Sequence, residues 1–254
     1  MSDASGRFDL KSRTALVTGA SSGLGVHFAR VLARAGAEVV IGARRVEALE
    51  RLVGEIEAEG GTARAIALDV SDTASVAAAE AQLDRLDILV NNAGIVREAS
   101  AFDQSEEDWD AVIDTNLKGA FLVAQMAGRL MRAAEKGGSI INIASVLGLR
   151  QTSGVLPYAV SKAGVVQLTQ TLALEWARYG IRVNAIAPGY FKTELNAHFW
   201  ETDAGAAAIK RIPQRRIGRY EDLDGPLLLL ASDASLYMTG AIVSVDGGHV
   251  VNSL

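Results

Sequence analysis

Residues 14–25 read TALVTGASSGLG, and this stretch decides how the chain folds. The apolar run 14–17 predicts a buried β-strand, and the residues after the glycine-rich turn follow the helical pattern of Phe28, Val31 and Leu32. Glycine lets the backbone turn sharply, and the free N–H groups at the start of a helix attract an anion. The stretch therefore predicts strand, turn and helix with an anion site at the turn, although the turn could also serve only to join the two elements.

Strands and helices continue to alternate along the chain. Further strands are predicted near residues 38–41, 63–68, 87–90, 139–144, 182–187 and 241–245, and a helix is predicted from about Val46 to Glu59. Continuous apolar strands with connections long enough for a helix are typical of a parallel sheet. We predict an α/β protein with a doubly wound Rossmann fold: a seven-stranded parallel sheet with helices on both faces, in a single domain over residues 1–254.

Composition narrows the classes of partner. Hydrophobic residues make up 49% of the 254 residues, and the net charge of -5 gives no electrostatic reason to expect nucleic acid or anionic lipid. The absence of cysteine excludes thiolate chemistry, and His27, His198 and His249 lack the spacing of metal ligands, so no metal site is predicted. Apolar runs such as 227–231 are far shorter than the roughly 20 residues that span a bilayer. We expect a cytoplasmic protein with a small-molecule substrate.

Tyr158 and Lys162 are four residues apart in a segment with helical periodicity, so both should lie on one helix face. They could be a tyrosine at the edge of the core beside a solvated lysine. A lysine cation about 4 Å away at an effective dielectric of about 20 would, however, contribute roughly 4 kcal/mol, or about three pKa units. This charge would bring the pKa of the Tyr158 phenol near 7, as a proton donor requires, less whatever the desolvation of the phenolate takes back.

Ser145 and Asn116 are two further candidates. Ser145 follows the predicted strand 139–144, at the carboxyl edge where sites form in such sheets, although a serine there is often only a turn residue. Asn116 could merely bond to neighbouring backbone groups.

These motifs, in their order, resemble the short-chain dehydrogenase/reductase family. The chain has Thr18-Gly-x-x-x-Gly-x-Gly25, then Asn91-Asn-Ala-Gly94, Asn116, Ser145, Tyr158-x-x-x-Lys162 and Pro188-Gly189, and the resemblance runs from about residue 10 to residue 248. It implies a catalytic tetrad of Asn116, Ser145, Tyr158 and Lys162. In the family the serine binds the substrate oxygen, the lysine holds the nicotinamide ribose, and the asparagine kinks its helix and connects the lysine to solvent through a water.

The resemblance also implies which residues bind the dinucleotide and the substrate. The expected cofactor residues are Gly19, Ser21, Ser22, Gly23, Leu24 and Gly25 at the pyrophosphate, Asp69 and Val70 at the adenine, Asn91, Ala93, Gly94, Tyr158 and Lys162 along the ribose, and Pro188, Gly189, Phe191 and Thr193 at the nicotinamide. Ser145, Tyr158 and Tyr190 are expected to contact the substrate. Ser71 and Asp72 could equally be a strand end and a helix cap. The stretch between Asp69 and Asn91 is about one helical turn shorter than the family pattern.

The end of the second strand predicts which nicotinamide cofactor is used. Ala43 stands where NAD enzymes of this fold carry an acid for the adenosine 2′-hydroxyl, and Arg44 and Arg45 follow it. Guanidinium groups bind phosphate oxygens through charge-assisted hydrogen bonds, so we expect NADP(H) to be preferred over NAD(H). A solvated arginine pair near Glu47 and Glu50 is the alternative.

We therefore expect an NADP(H)-dependent oxidoreductase that transfers a hydride between the nicotinamide and a ketone or secondary alcohol, as a 3-oxoacyl-type or other carbonyl reductase or an alcohol dehydrogenase does. The alternative is a non-catalytic dinucleotide-binding sensor of the same fold, against which the intact tetrad argues. An extended-type epimerase or dehydratase would need a larger substrate domain.

The substrate itself is less well defined by the sequence. Segment 190–219 is the least regular stretch and is either an exposed connection or a substrate cover. Residues expected near the pocket hint at a largely apolar substrate; they are Leu147, Leu149, Gln151, Tyr190, Phe199 and Trp200. The resemblance and the apolar segment 237–251 predict a homotetramer or homodimer.

Overall fold

The central feature of the computed structural model, which describes residues 5–192 and 198–252, is one parallel sheet. The seven strands are β1 (Thr14–Thr18), β2 (Glu38–Ala43), β3 (Thr62–Ala67), β4 (Ile88–Asn91), β5 (Gly138–Ile143), β6 (Ile181–Pro188) and β7 (Ile242–Val245). Their spatial order is β3-β2-β1-β4-β5-β6-β7, and each neighbouring pair is parallel. The predicted seven-stranded, doubly wound sheet is confirmed.

The helices lie on both faces of this sheet. They are α1 (Gly23–Arg34), α2 (Val46–Ala58), α3 (Thr73–Glu80), α4 (Glu106–Ile113), α5 (Gly119–Ala133), α6 (Leu156–Trp176), α7 (Asp203–Arg211) and α8 (Asp224–Ala231). Successive strand residues point to opposite faces: Val17 packs in one core cluster with Phe28 of α1 and Leu227 of α8, whereas Leu16 packs in the other with Val123 of α5 and Leu172 of α6.

The strand order reverses between β1 and β4, which are hydrogen-bonded neighbours although β2 and β3 follow β1 in the chain. Connections from these two strands leave toward opposite sides, so a crevice forms beyond their carboxyl ends, where ligands bind in doubly wound sheets. The motifs after β1, β4, β5 and β6 all lie along this edge.

Two stretches show how the sequence patterns translated into structure. α3 is short, with eight residues, and the Asp72 carboxylate caps it by accepting a hydrogen bond from the Ala74 N–H at 2.9 Å. Asp72 is therefore a helix cap, one of the two alternatives.

The described part of segment 190–219 is more regular than expected, because it contains α7, which the Thr202 hydroxyl caps by accepting from the Gly205 N–H at 3.1 Å. The alanines at positions 206–208, strong helix formers, explain that helix.

Candidate active site

The glycine turn between β1 and α1 leaves no space for side chains at its tightest points. Gly19 and Gly23 have φ values of +66° and +58°, which glycine adopts most readily. A Cβ on Gly25 would lie 2.4 Å from the Gly19 carbonyl oxygen. Ser22 occupies the N-cap position of α1 without a capping hydrogen bond to the helix, so the first helical N–H groups can face a ligand.

Thr18 joins this turn to the loop after β4. The side chain is fully buried, and its hydroxyl accepts hydrogen bonds from the Asn92 and Ala93 N–H groups, both at 3.0 Å. The Asn92 amide nitrogen in turn donates to the Thr18 carbonyl oxygen at 2.9 Å. Sequence reasoning did not assign this role to Thr18; a polar residue at the end of an apolar strand is the signal that could have identified it.

Asn91 and Gly94 have different roles within their motif. The Asn91 amide nitrogen donates to the Ala120 carbonyl oxygen at 2.7 Å and to Asn142 Oδ1 at 3.2 Å, so this side chain fastens β4 to α5 and β5. Gly94 lies beside the catalytic candidates instead: a Cβ there would be 3.3 Å from Asn116 Oδ1 and 3.6 Å from Lys162 Nζ. A ligand can therefore approach these groups across the Gly94 backbone.

Lys162 lies on α6 one turn after Tyr158, as its spacing predicts. Its side chain is buried, Nζ donates a hydrogen bond of 2.7 Å to the Ile143 carbonyl oxygen, and Nζ is 5.6 Å from the centre of the Tyr158 ring. Burial lowers the pKa of Lys162 to about 8. The side chain is thus not the solvated lysine of the alternative interpretation.

The Tyr158 phenol differs from its expected acidity. Burial raises its pKa above the ordinary value, and the hydrogen bond with Ser145 lowers it by less. Desolvation, whose size the sequence left open, is the larger effect here, so the pKa lies above its ordinary value and not near 7. Tyr158 is therefore protonated at neutral pH.

Ser145 is the turn residue of the alternative interpretation, and it also lies beside Tyr158. It follows β5, caps the 3-10 turn Val146–Gly148 by accepting from the Leu147 N–H at 3.1 Å, and its side chain lowers the pKa of the Tyr158 phenol. The turn thus fixes the hydroxyl next to the phenol.

Asn116 lies in a π-helical turn, Asp114–Lys118, between α4 and α5. Its Oδ1 accepts from the Ile95 N–H at 2.8 Å, and its Nδ2 donates to the Ile95 carbonyl oxygen at 2.9 Å and to Ser161 Oγ at 3.1 Å. The Ser161 hydroxyl donates to the Tyr158 carbonyl oxygen at 2.7 Å. The helix irregularity expected from the family is present, and Ser161, which sequence reasoning missed, connects Asn116 to α6.

Arg44 and Arg45 follow β2, and their side chains differ in their contacts. Arg44 is exposed, with Nη1 4.0 Å from Asp69 Oδ2. Burial raises the pKa of Asp69, but hydrogen bonds from Ser71 and the Arg44 charge outweigh it and lower the pKa below its ordinary value. The Arg45 Nη2 donates to the Ser21 and Ser22 hydroxyls at 3.1 and 3.0 Å, so its guanidinium lies against the glycine turn.

The expected ligand residues that follow β6 lie in different surroundings. Phe191 is buried against Gly218, where a Cβ would be 2.4 Å from its ring, so it packs in the core. Tyr190 is half-buried and meets the rings of Trp200 and His249. Thr193 lies outside the described residues. A cavity of about 350 Å³ beside segment 190–219 is bordered by residues such as Tyr190, Arg216, Asp222 and Asp246.

Within residues 5–192 and 198–252, no group of three or more histidine, aspartate or glutamate side chains could hold a metal ion. Nor does any helix there have the length and apolarity needed to cross a membrane.

Comparisons with known proteins identify the family to which this chain is similar. Residues 19–250 match the family model described as enoyl-(acyl carrier protein) reductase. The chain is 42% identical to a 3-oxoacyl-[acyl-carrier-protein] reductase of Thermotoga maritima over 95% of this chain and 99% of that protein. It is 40% identical to gluconate 5-dehydrogenase of Gluconobacter oxydans over 96% and 97% of the two chains. A crystal structure of a gluconate 5-dehydrogenase from Burkholderia cenocepacia, in complex with NADP and tartrate, superposes with a TM-score of 0.94 at 41% identity, covering 97% of this chain and 98% of that one.

The fold and the relatives together define an oxidoreductase built on a doubly wound sheet. The chain belongs to the short-chain dehydrogenase/reductase family, as its motif order indicated.

Proposed function

We propose that this protein reduces a ketone, or oxidises the matching secondary alcohol, with NADP(H), and that Tyr158, Lys162, Ser145 and Asn116 form its catalytic centre. The observation that carries the proposal is the convergence of three groups: the Ser145 side chain lies beside the Tyr158 phenol and lowers its pKa, and the buried Lys162 ammonium lies 5.6 Å from the centre of the phenol ring. A proton donor, a hydrogen-bond donor for an oxyanion and a cation thus meet beside the open backbone of Gly94.

The residues would act as follows in the reducing direction. Bound NADPH supplies the hydride to the carbonyl carbon. Ser145 Oγ donates a hydrogen bond to the carbonyl oxygen, and the Tyr158 hydroxyl transfers its proton to the alkoxide as that charge develops, which completes the alcohol. The raised pKa keeps Tyr158 protonated beforehand, and the Lys162 cation stabilises the phenolate that remains. Asn116 and Ser161 hold the start of α6 in place.

The glycine turn and the two arginines support NADP(H) as the preferred cofactor. The uncapped start of α1 suits a pyrophosphate, and the cramped positions of Gly19 and Gly25 allow close approach. Arg44 is exposed and only loosely paired with Asp69, so it can turn to a 2′-phosphate. The glycine turn itself contains no cation, but the Arg45 guanidinium brings one to it by donating a hydrogen bond to the Ser22 hydroxyl. Relatives crystallised with NADP support the same cofactor.

Segment 190–219 is proposed to cover the substrate. The Tyr190 and Trp200 rings meet edge-on with centres 5.3 Å apart, and α7 begins three residues after Trp200. The matched relatives include enzymes named for acyl and for sugar-acid substrates, so the chemical class proposed is the ketone and secondary-alcohol pair that both share.

A turnover assay tests the proposal. We expect NADPH absorbance to fall with at least one member of a panel of 3-oxoacyl thioesters, keto-sugar acids and simple ketones. Tyr158→Phe should keep NADPH binding and lose about 10²–10⁴-fold in kcat, because the ring remains and the proton donor is gone. Tyr179→Phe, after the end of α6, is the matched control and should retain full activity. Near-normal turnover by Tyr158→Phe would refute the mechanism, and NADPH binding without turnover across the panel would favour a sensor.

Self-association is proposed as well. Leu236, Tyr237 and Val251, in the last twenty residues of the chain, are exposed by 67%, 105% and 83%, and a partner subunit would cover them. We expect a homotetramer or homodimer, and light scattering that finds a stable monomer at micromolar concentration would contradict this.

A further inference from the structure

The turn that follows β7, residues 246–250, has a fixed shape and is here called the C-terminal turn. The Asp246 carboxylate accepts hydrogen bonds from the Gly248 N–H at 2.9 Å and from the Val250 N–H at 2.6 Å. Gly247 and Gly248 have φ values of +63° and +87°, which let the chain fold back on the carboxylate. Because these hydrogen bonds connect its residues, a displacement of one part of the C-terminal turn should displace the rest.

Arg150 joins the C-terminal turn to the loop of the catalytic serine. Its Nη1 donates to the carbonyl oxygen of His249 at 2.6 Å and approaches that of Val250 at 3.4 Å. Its own N–H donates to the Val146 carbonyl oxygen at 2.8 Å, within the turn that Ser145 caps. Hydrogen bonds from a charged donor are stronger than those from a neutral one, so Arg150 fixes the position of the C-terminal turn relative to the loop that follows β5.

His249 passes this constraint to the substrate side of the cleft. Its ring meets the Tyr190 ring edge-on, with centres 5.2 Å apart, and Tyr190 meets Trp200 in the same manner. Burial lowers the pKa of His249, the charge of Arg150 lowers it further, and Asp246 raises it by less. A neutral ring at pH 7 is suited to this aromatic packing.

We propose that Arg150 is a positioning residue for the substrate: through the C-terminal turn and His249 it holds Tyr190 at a set distance from Ser145. The inference rests on the proposed function, in which Ser145 binds the carbonyl oxygen and segment 190–219, which begins with Tyr190, covers the substrate. Loss of the Arg150 hydrogen bonds should make Tyr190 and the C-terminal turn more mobile. The glycine turn should be unaffected, because it follows β1, which is separated from β7 by β4, β5 and β6.

Steady-state kinetics of Arg150→Met, with Arg150→Lys and Arg129→Met as partners, test the proposal. We expect Arg150→Met to raise the substrate KM by about tenfold to a hundredfold, as the loss of charge-assisted hydrogen bonds predicts, with the Kd for NADPH unchanged within about twofold. Arg150→Lys should recover most of the affinity, because an ammonium can donate to the same carbonyl groups. Arg129, an exposed residue bonded to Gln125 on its own helix, should show no effect.

Hydrogen exchange decides the matter independently of turnover. We expect peptides covering residues 189–192 and 246–252 to exchange faster in Arg150→Met and to recover in Arg150→Lys, whereas peptides of the glycine turn keep their wild-type rates. An unchanged substrate KM or unchanged hydrogen exchange in Arg150→Met would overturn the proposed role of Arg150. An equal loss of NADPH affinity and thermal stability in Arg150→Met and Arg150→Lys would overturn it as well. If the wild type turns over no ketone but exchange responds as expected, the proposed role of Arg150 stands and the proposed function fails.

Discussion

Two cation sites along the same sheet edge are built in opposite ways. Arg44 and Arg45, after β2, are exposed and paired, one with Asp69 and the other with the Ser21 and Ser22 hydroxyls. Lys162, on α6 between β5 and β6, is buried with its Nζ on the Ile143 carbonyl oxygen.

The difference shows what each site contributes to the fold. Exposed pairs contribute about 0–1 kcal/mol to stability, so the arginines can be exchanged at little structural cost. A buried ammonium is destabilising, and the drop in the pKa of Lys162 from 10.5 to about 8 records that cost. Buried charges of this kind are kept where chemistry needs them, which agrees with a catalytic role for Lys162.

The largest effect expected from this comparison is a change of cofactor. Ala43→Asp with Arg44→Ala should move preference from NADP(H) toward NAD(H), because a carboxylate repels the 2′-phosphate and one phosphate ligand is lost. If each arginine–phosphate contact contributes roughly 1.5–3 kcal/mol, the wild type should prefer NADP(H) by between tenfold and a few thousandfold in kcat/KM. Arg44→Ala alone should leave the free energy of unfolding within about 1 kcal/mol, as its exposed position allows, whereas Ala43→Asp places a carboxylate at a buried position and should lower that free energy further.

One control variant sharpens this test. Arg51→Ala, on the exposed side of α2, removes a nearby cation and should leave the cofactor ratio unchanged. Equal or better kcat/KM with NAD(H) in the wild type would contradict the expected preference while leaving the Tyr158 mechanism intact.

The sequence predicts the region around Arg44 and Arg45 better than the region around Lys162. The glycine turn and Arg44 are defined by residues adjacent in the chain, and the strand bounds fall within about two residues of the expected ones because buried strands have continuous apolar runs. Placing Arg45 on Ser21 and Ser22 required the structure, because those residues belong to different loops.

Contacts distant in sequence and the effects of burial were beyond the sequence patterns. Arg150 and His249 are 99 residues apart, and nothing in either neighbourhood marks them as partners. The direction of the Tyr158 pKa shift depends on how much water the fold removes, which periodicity does not measure. Phe191 matched a cofactor position by family pattern, yet the approach of Gly218 makes it a core residue.

The smallest effect expected is a gain in stability when Lys162 is replaced. Lys162→Met should abolish most turnover yet raise the free energy of unfolding by about 1–3 kcal/mol at pH 7, since a fall in pKa from 10.5 to about 8 corresponds to roughly 3 kcal/mol, less the lost hydrogen bond to Ile143. Between pH 8 and 10.5 the unfolded wild type keeps a proton that the folded protein has released, so wild-type stability rises with pH there. The advantage of the variant should therefore shrink from pH 7 to pH 10 in urea unfolding. Lys136→Met, at an exposed lysine, should show no such trend, and a variant less stable than the wild type at pH 7 would mean that the Lys162 cation stabilises the fold.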